Sequence, residues 1–256
     1  MKYLLTVLIL FSYSSLFAQV DTLLSALSKW ENAKGAVDGN IEIKEMLAGK
    51  ALDLKELTVH AETIAPSVIS HKENHSEYEE LLIVKEGQLK ITIKEVTKLL
   101  GPGSVALIFP NDNHSVVNES DNPATYYVFR YKARIVPDFK RGEQAGGSFM
   151  IDWNDLEYNE SAIGGRRDYF HRPTAMLNNF EMHVSTLNEG LTNHQAHTHK
   201  AEEFVLMIKG DVVMLVGEEN YACSTGDIVF VSSMIPHALN NTGQGETMYF
   251  AFQLWQ

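Results

Sequence analysis

The chain has 256 residues, 45% of them apolar and 21% charged, which are the proportions of a folded protein and exclude wholesale disorder. A formal net charge of −12 repels phosphate polyanions, so nucleic acid and anionic membrane surfaces are excluded as partners. At this length one large domain or two small ones can bury a core.

The N-terminal "MKYLLTVLILFSYSSLFA" places Lys2 before an apolar core from Leu4 to Phe11 and ends on the small Ala18, ahead of Gln19. That is the make-up of a cleavable secretory signal, and its apolar core is short for a membrane span. Residues 1–18 are therefore expected to be a signal peptide cleaved after Ala18. The mature protein would then be periplasmic or secreted, with no membrane attachment. "DTLLSALSKWENA" (21–33) has apolar residues at helical spacing, which predicts a helical N-terminal arm over 19–50.

Beyond the arm the sequence repeats itself. "HKENHSEYEELLIVKEG" begins at His71 and "HQAHTHKAEEFVLMIKG" at His194, an offset of 123 positions (194 − 71). The same offset joins His60 to His183, Glu80 to Glu203, Gly87 to Gly210, Gly103 to Gly226, His114 to His237, Asn118 to Asn241 and Tyr126 to Tyr249. One register held over some seventy residues marks an internal duplication, each copy one structural unit. In each copy, β-branched and aliphatic runs are broken by Gly, Pro and Asn turns, which predicts a small antiparallel barrel or sandwich. The first barrel is expected over 51–140 and the second over 177–256. The Gly-rich, polar, aperiodic stretch 141–176 reads as the linker.

The chemistry gathers in the second copy. On a strand, residues two apart face the same way, so His197 and His199 project together and His194 falls on the other side of the pleat. With a turn before Glu203, that carboxylate can reach the same point, and His237 on a later strand completes the set. Three imidazoles and a carboxylate suit Mn, Fe, Ni, Zn or Cu better than Ca or Mg. In the first copy, Asn74 and Ser76 stand where His197 and His199 would, while Glu80 and His114 remain. His75 lies between the two required sites, facing the other way, so the first barrel reads as metal-free. Cys223, the single cysteine, forms no internal disulfide and reads as a core residue.

The order H-x-H-x3-E-x6-G (His197, His199, Glu203, Gly210), then G-D-x9-H-x3-N (Gly226, Asp227, His237, Asn241), resembles the two motifs of the cupin superfamily. The resemblance covers both copies and implies an all-β bicupin of two tandem jelly-roll-like barrels, the second holding a divalent metal. The degenerate first copy, "YKARIVPD" after it and "FEMHVSTLNEG" opening the second resemble the ureidoglycine aminohydrolases, which hydrolyse a ureide with bound Mn. That resemblance makes Mn the first expectation, with Fe, Ni, Zn or Cu as alternatives, and a small polar molecule the substrate. That family's metal set is glutamate, two histidines and glutamine, whereas this chain offers His197, His199, Glu203 and His237.

Three functions stay open: a ureide-type hydrolase, a cupin dioxygenase or sugar- or uronate-processing cupin, and a non-catalytic ligand-binding barrel stabilised by its metal. Glu202, His194 and Tyr249 are candidates for proton transfer or ligand orientation; solvent exposure for the first two, and packing for Tyr249, are the alternatives. Arg166 and Arg167 could clamp a carboxylate or form ordinary ion pairs. Duplicated barrels often pair, so a homodimer is open.

Overall fold

The computed structural model describes residues 22–74 and 76–256. The expected signal peptide, its cleavage point and His75 lie outside the described residues. The chain opens with β1 (Ala26–Ser28), a 3-10 turn (Trp30–Asn32), β2 (Lys34–Asp38), β3 (Ile41–Gly49) and β4 (Leu54–Ile64). Then come β5 (Val68–Asn74), β6 (Glu79–Glu86), β7 (Leu89–Ile93), β8 (Val96–Leu100), β9 (Val105–Ile108), β10 (His114–Asn118) and β11 (Ala124–Ala133). After a short helix, α1 (Phe139–Gln144), follow β12 (Phe149–Ile151), a second 3-10 turn (Trp153–Asp155), β13 (Asn159–Ser161), β14 (Gly164–Arg172) and β15 (Asn179–Leu187). The last six strands are β16 (Glu202–Lys209), β17 (Val212–Val216), β18 (Glu219–Cys223), β19 (Ile228–Val231), β20 (His237–Asn241) and β21 (Thr247–Trp255).

The 123-residue offset now holds from the first described strand onward. β1, β3, β6, β7, β8, β9 and β10 shift onto β12, β14, β16, β17, β18, β19 and β20 with the same bounds, and the two 3-10 turns also superpose. The expected helical arm over 19–50 is therefore corrected. Its described part is β1, a single turn and the hairpin β2–β3, all belonging to the repeat. Helical spacing over a dozen residues is a weak prior, and here sheet edges offer hydrogen bonds that override it. Stretch 141–176 is likewise more than a linker, since β12, β13 and β14 are built from it.

Two seven-stranded antiparallel sheets result, in the orders β12-β9-β6-β11-β4-β3-β2 and β1-β19-β16-β21-β15-β14-β13. A four-stranded sheet, β5-β10-β7-β8, and a three-stranded one, β18-β17-β20, close the two barrels. The repeats exchange their first strands. β1 of the first pairs with β19 of the second (Leu27 opposite Val229), and β12 of the second pairs with β9 of the first (Met150 opposite Ala106).

The core divides in three. Leu82, Val84, Ile91 and Tyr126 fill the first barrel; Val205, Met207, Met214 and Tyr249 fill the second. Between the repeats lies a third core holding Leu81, Ile83, Tyr127 and Phe129 from one side and Phe204, Leu206, Phe250 and Phe252 from the other. Phe129 and Phe252, themselves 123 residues apart, meet edge-to-face at 4.9 Å. Cys223 is buried in the second barrel, where burial pushes its thiol up to about 12. No helix among the described residues is long and apolar enough to cross a membrane.

The exchanged strands are locked by paired turns. Ser104 N–H bonds Gly101 C=O at 3.0 Å, and Asp227 N–H bonds Ser224 C=O at 3.0 Å, with Gly103 (φ +84°) and Gly226 (φ +96°) at the position that needs positive φ. Trp153 packs on Gly103 and Trp30 on Gly226. Their N–H groups donate to Ser104 Oγ (3.0 Å) and Asp227 Oδ1 (2.8 Å). A Cβ at Gly103 would overlap the Trp153 ring, whereas one at Gly226 would sit 3.0 Å from Trp30 Cγ. Gly103→Ala is thus expected to cost about 2–3 kcal/mol and Gly226→Ala about 1–2 kcal/mol, from αL strain plus overlap. Denaturant unfolding checks the order; a Gly103→Ala protein as stable as Gly226→Ala contradicts it.

Candidate metal centre

The second barrel's site follows from strand parity. Along β16, Phe204 and Leu206 enter the core between the repeats, and Val205 and Met207 enter the barrel. Glu203 therefore points into the barrel and Glu202 out of it. Glu202 is buried among inter-repeat contacts, accepting Leu52 N–H at 2.7 Å and, more weakly, Asp53 N–H at 3.5 Å. Its counterpart Glu79 does the same work, accepting Tyr131 Oη–H (3.0 Å), Thr174 Oγ1–H (2.6 Å) and Ala175 N–H (3.3 Å). Burial, ahead of these hydrogen bonds, raises both carboxyls above their ordinary value. Glu202 as a proton-transfer candidate is corrected: it faces away from the centre and ties the repeats together.

Glu203 Oε2 lies 2.9 Å from His199 Nε2 and 3.4 Å from His237 Nε2. Burial works to raise the Glu203 carboxyl, yet hydrogen bonds and charge from His199 and His237 hold it down at about 2. Ligand nitrogens of His197, His199 and His237 lie within 4.8 Å of one another. Both orienting contacts are backbone carbonyls: His199 Nδ1 donates to Ala201 O and His237 Nδ1 to Ile235 O, each at 2.9 Å. That turns Nε2 of both rings toward the shared point, where each donates to Glu203 when protonated and becomes a ligand on giving up that proton. The arrangement fits a divalent transition metal, and three imidazoles with one carboxylate could hold it.

How the histidines reach this point differs from the expectation. Residues 193–200 form no continuous strand. One isolated bridge, His197 opposite His237, and a hydrogen bond from Met234 N–H to His199 O (2.8 Å) hold the segment in place. Freed from a pleat, His194 turns toward the cluster instead of away. Its Nδ1 is 3.1 Å from His197 Nδ1, and its ring centroid 6.3 Å from that of His237. His197 is exposed. Burial and then the neighbouring imidazoles lower its pKa, which keeps its nitrogens available to a metal.

A cavity of about 410 Å³ opens beside the donors. His197, Glu203, His194, Tyr249 and Arg166 line it, together with Asn193, His183 and Gln253. Tyr249 is buried and accepts Asn193 Nδ2–H at 3.2 Å; burial raises its pKa, so it stays a phenol. Arg166 donates Nε–H to Asp168 and Nη2–H to Glu181 Oε1 (2.9 Å). Arg167 lies over the Trp153 and Tyr158 rings instead. Sequence reading passed over Gln253, whose Nε2 lies 3.0 Å from Glu203 Oε2 and 3.2 Å from His199 Nε2. Its only trace in the sequence is that 249, 251 and 253 share one face of β21, which does not by itself point to the centre.

The other motif positions are scaffold. Asp227 Oδ2 accepts Ser224 N–H at 2.9 Å, and Asn241 Nδ2 donates to Leu187 O (2.9 Å) and Gly245 O (2.8 Å).

Comparison with known proteins follows this geometry. The profile of the Cupin domain matches residues 60–130 and again 183–253. No curated protein sequence matches the chain. Among solved structures, AerE from Microcystis aeruginosa is similar at TM-score 0.69 and 14% identity, over 90% of this chain and 99% of that one. Ylba from E. coli gives 0.69 and 15%, over 93% and 95%. The Lactobacillus farciminis oxalate decarboxylase formate complex gives 0.70 and 11%, over 90% and 86%.

Two measurements test the centre and the outward-facing role of Glu202. Elemental analysis is expected to find one divalent metal per wild-type chain and background levels in His199→Ala; equal content in both contradicts the centre. Glu202→Ala is expected to keep the metal while losing about 1–3 kcal/mol of stability, because a buried N–H loses its acceptor. Metal loss in a folded Glu202→Ala protein would sink the parity argument.

Proposed function

Because the chain belongs to the cupin family and carries its domain twice, we propose that it is a metal-dependent enzyme acting on a small polar metabolite, with its active centre in the second repeat. One observation carries this reading: two of the four donors, His197 and Glu203, line a cavity of about 410 Å³, with His197 exposed, instead of being sealed in a closed shell. A site built only for fold stability has no need of a room beside its donors. A divalent metal held by His197, His199, Glu203 and His237 would supply Lewis acidity toward a carbonyl or a water molecule.

The chain's own groups then bind and orient. Arg166 offers a guanidinium held in place by Asp168 and Glu181, suited to a carboxylate or carbonyl of the substrate. Tyr249, kept protonated by burial, supplies a phenolic proton at the cavity wall. His194 steadies the His197 ring. The export expected from residues 1–18 would put this activity in the periplasm or outside the cell.

Gln253 turns its amide Nε2–H toward Glu203 and His199, so it orients the donors and leaves their set at three imidazoles and a carboxylate. Ureides are the first substrates to test, ahead of uronates and phenolics, because of the sequence resemblance to the ureide hydrolases. Metal-loaded protein is expected to release ammonia from a ureide. Tyr249→Phe is expected to lower kcat about a hundredfold if the phenol gives its proton in the rate-limiting step. Arg166→Met is expected to act mainly on KM. No turnover on any of the three classes, with metal bound, would shift the reading to a ligand-binding barrel.

A further inference from the structure

The first repeat keeps the frame of the metal centre and changes its contents. His114 Nε2 lies 3.4 Å from Glu80 Oε2, as His237 Nε2 lies 3.4 Å from Glu203 Oε2. The backbone register also matches, with His114 opposite Asn74 where His237 is opposite His197. Ser76 takes the position of His199, and Arg130 that of Gln253 (253 − 123). Arg130 Nε lies 3.2 Å from Glu80 Oε1, and its Nη2 donates to Ser76 Oγ at 3.4 Å. The guanidinium is stacked on the Tyr78 ring, 3.9 Å from its centroid. One side chain thus reaches the carboxylate of the site and the position of its missing imidazole, and an aromatic face restrains it.

Glu80 is 3% exposed, and a carboxylate so buried needs a compensating charge. Among the described residues, the other carboxylate of this interior, Glu62, is committed elsewhere. Glu62 replaces Ser185 of the second repeat; it accepts Tyr126 Oη–H at 2.6 Å and lies 3.2 Å from His60 Nε2. Arg130 sits at Glu80 Oε1 and His114 at Oε2, so a divalent ion on this carboxylate would share it with the guanidinium, and like charges held that close repel.

We propose that Arg130 is the resident cation of the first repeat: its guanidinium takes the place a divalent metal would take in the second, neutralises Glu80 and keeps the first repeat free of metal. This rests on the reading of the second repeat as the metal centre. On this account, losing the paired histidines is only half of what separates the repeats. Restoring them without removing the arginine should not restore a site.

The test compares wild type, Asn74→His/Ser76→His, and the same pair combined with Arg130→Gln. Each full-length chain is loaded with Mn2+ or Zn2+ alone, desalted and assayed for metal content, with circular dichroism to confirm folding. The double variant is expected to hold as much metal as wild type, and the triple variant one equivalent more. A double variant that gains the extra metal, or a folded triple variant that gains none, overturns the proposal. The converse exchange guards against a triple variant that does not fold. Gln253→Arg is expected to weaken metal binding at the second centre by at least about tenfold in calorimetry, and unchanged affinity in a folded Gln253→Arg protein overturns the proposal. A wild-type chain without metal would instead refute the second-repeat reading, while a metal gained only on Arg130 removal would still support the role of Arg130.

Discussion

Each central strand of this protein is buried on both faces, so the parity of a residue decides which of two cores it serves. On β16 the even residues Phe204 and Leu206 pack against the other repeat, and the odd residues Val205 and Met207 fill the barrel. On β6 the parity is reversed, as an odd offset requires: Leu81 and Ile83 face the partner repeat, and Leu82 and Val84 the interior. A one-residue slip would put Glu203 in an apolar interface and Phe204 in the polar cavity, so the register is strongly specified. Two adjacent glutamates of like chemistry thereby acquire unrelated jobs, one beside the histidines and one under the backbone of Leu52.

The same two-sided burial explains why the repeats are inseparable. Each sheet takes an edge strand from the other repeat, each exchanged strand is followed by a tryptophan set on a glycine turn, and the largest core lies between the units. Glu79 and Glu202, buried and hydrogen-bonded to loops 96 and 150 residues away in sequence, add polar ties at matching places. The scaffold is nearly symmetric, and the differences concentrate inside the barrels: Ser76 for His199, Arg130 for Gln253, Glu62 for Ser185. One interior ends as a cavity lined by histidines, the other as a network of carboxylates answered by a guanidinium.

Within the centre, orientation comes from the backbone more than from other side chains. Carbonyls two residues away, Ala201 O after His199 and Ile235 O before His237, take the Nδ1 protons. The residue pairs are local, so the chain segment that carries each imidazole also sets its tautomer. The irregular segment at 193–200 adds His194 to the cluster, which a regular pleat would turn away.

Sequence alone determined the duplication, the all-β class, the two cupin motifs and the histidines that gather around Glu203, because each is a pattern of residue identity or spacing within one repeat. It misjudged the N-terminal arm, where a helical period in a short segment lost to sheet hydrogen bonds, β1 on β19 of the opposite repeat and β3 on β4 of its own. It also placed His194 on the far side of a pleat that does not exist. Only the tertiary structure decided that Glu202 ties the repeats together, that Gln253 reaches the centre and that Arg130 stands against Glu80. All three depend on strand parity and on pairings across many tens of residues, which a linear pattern does not contain.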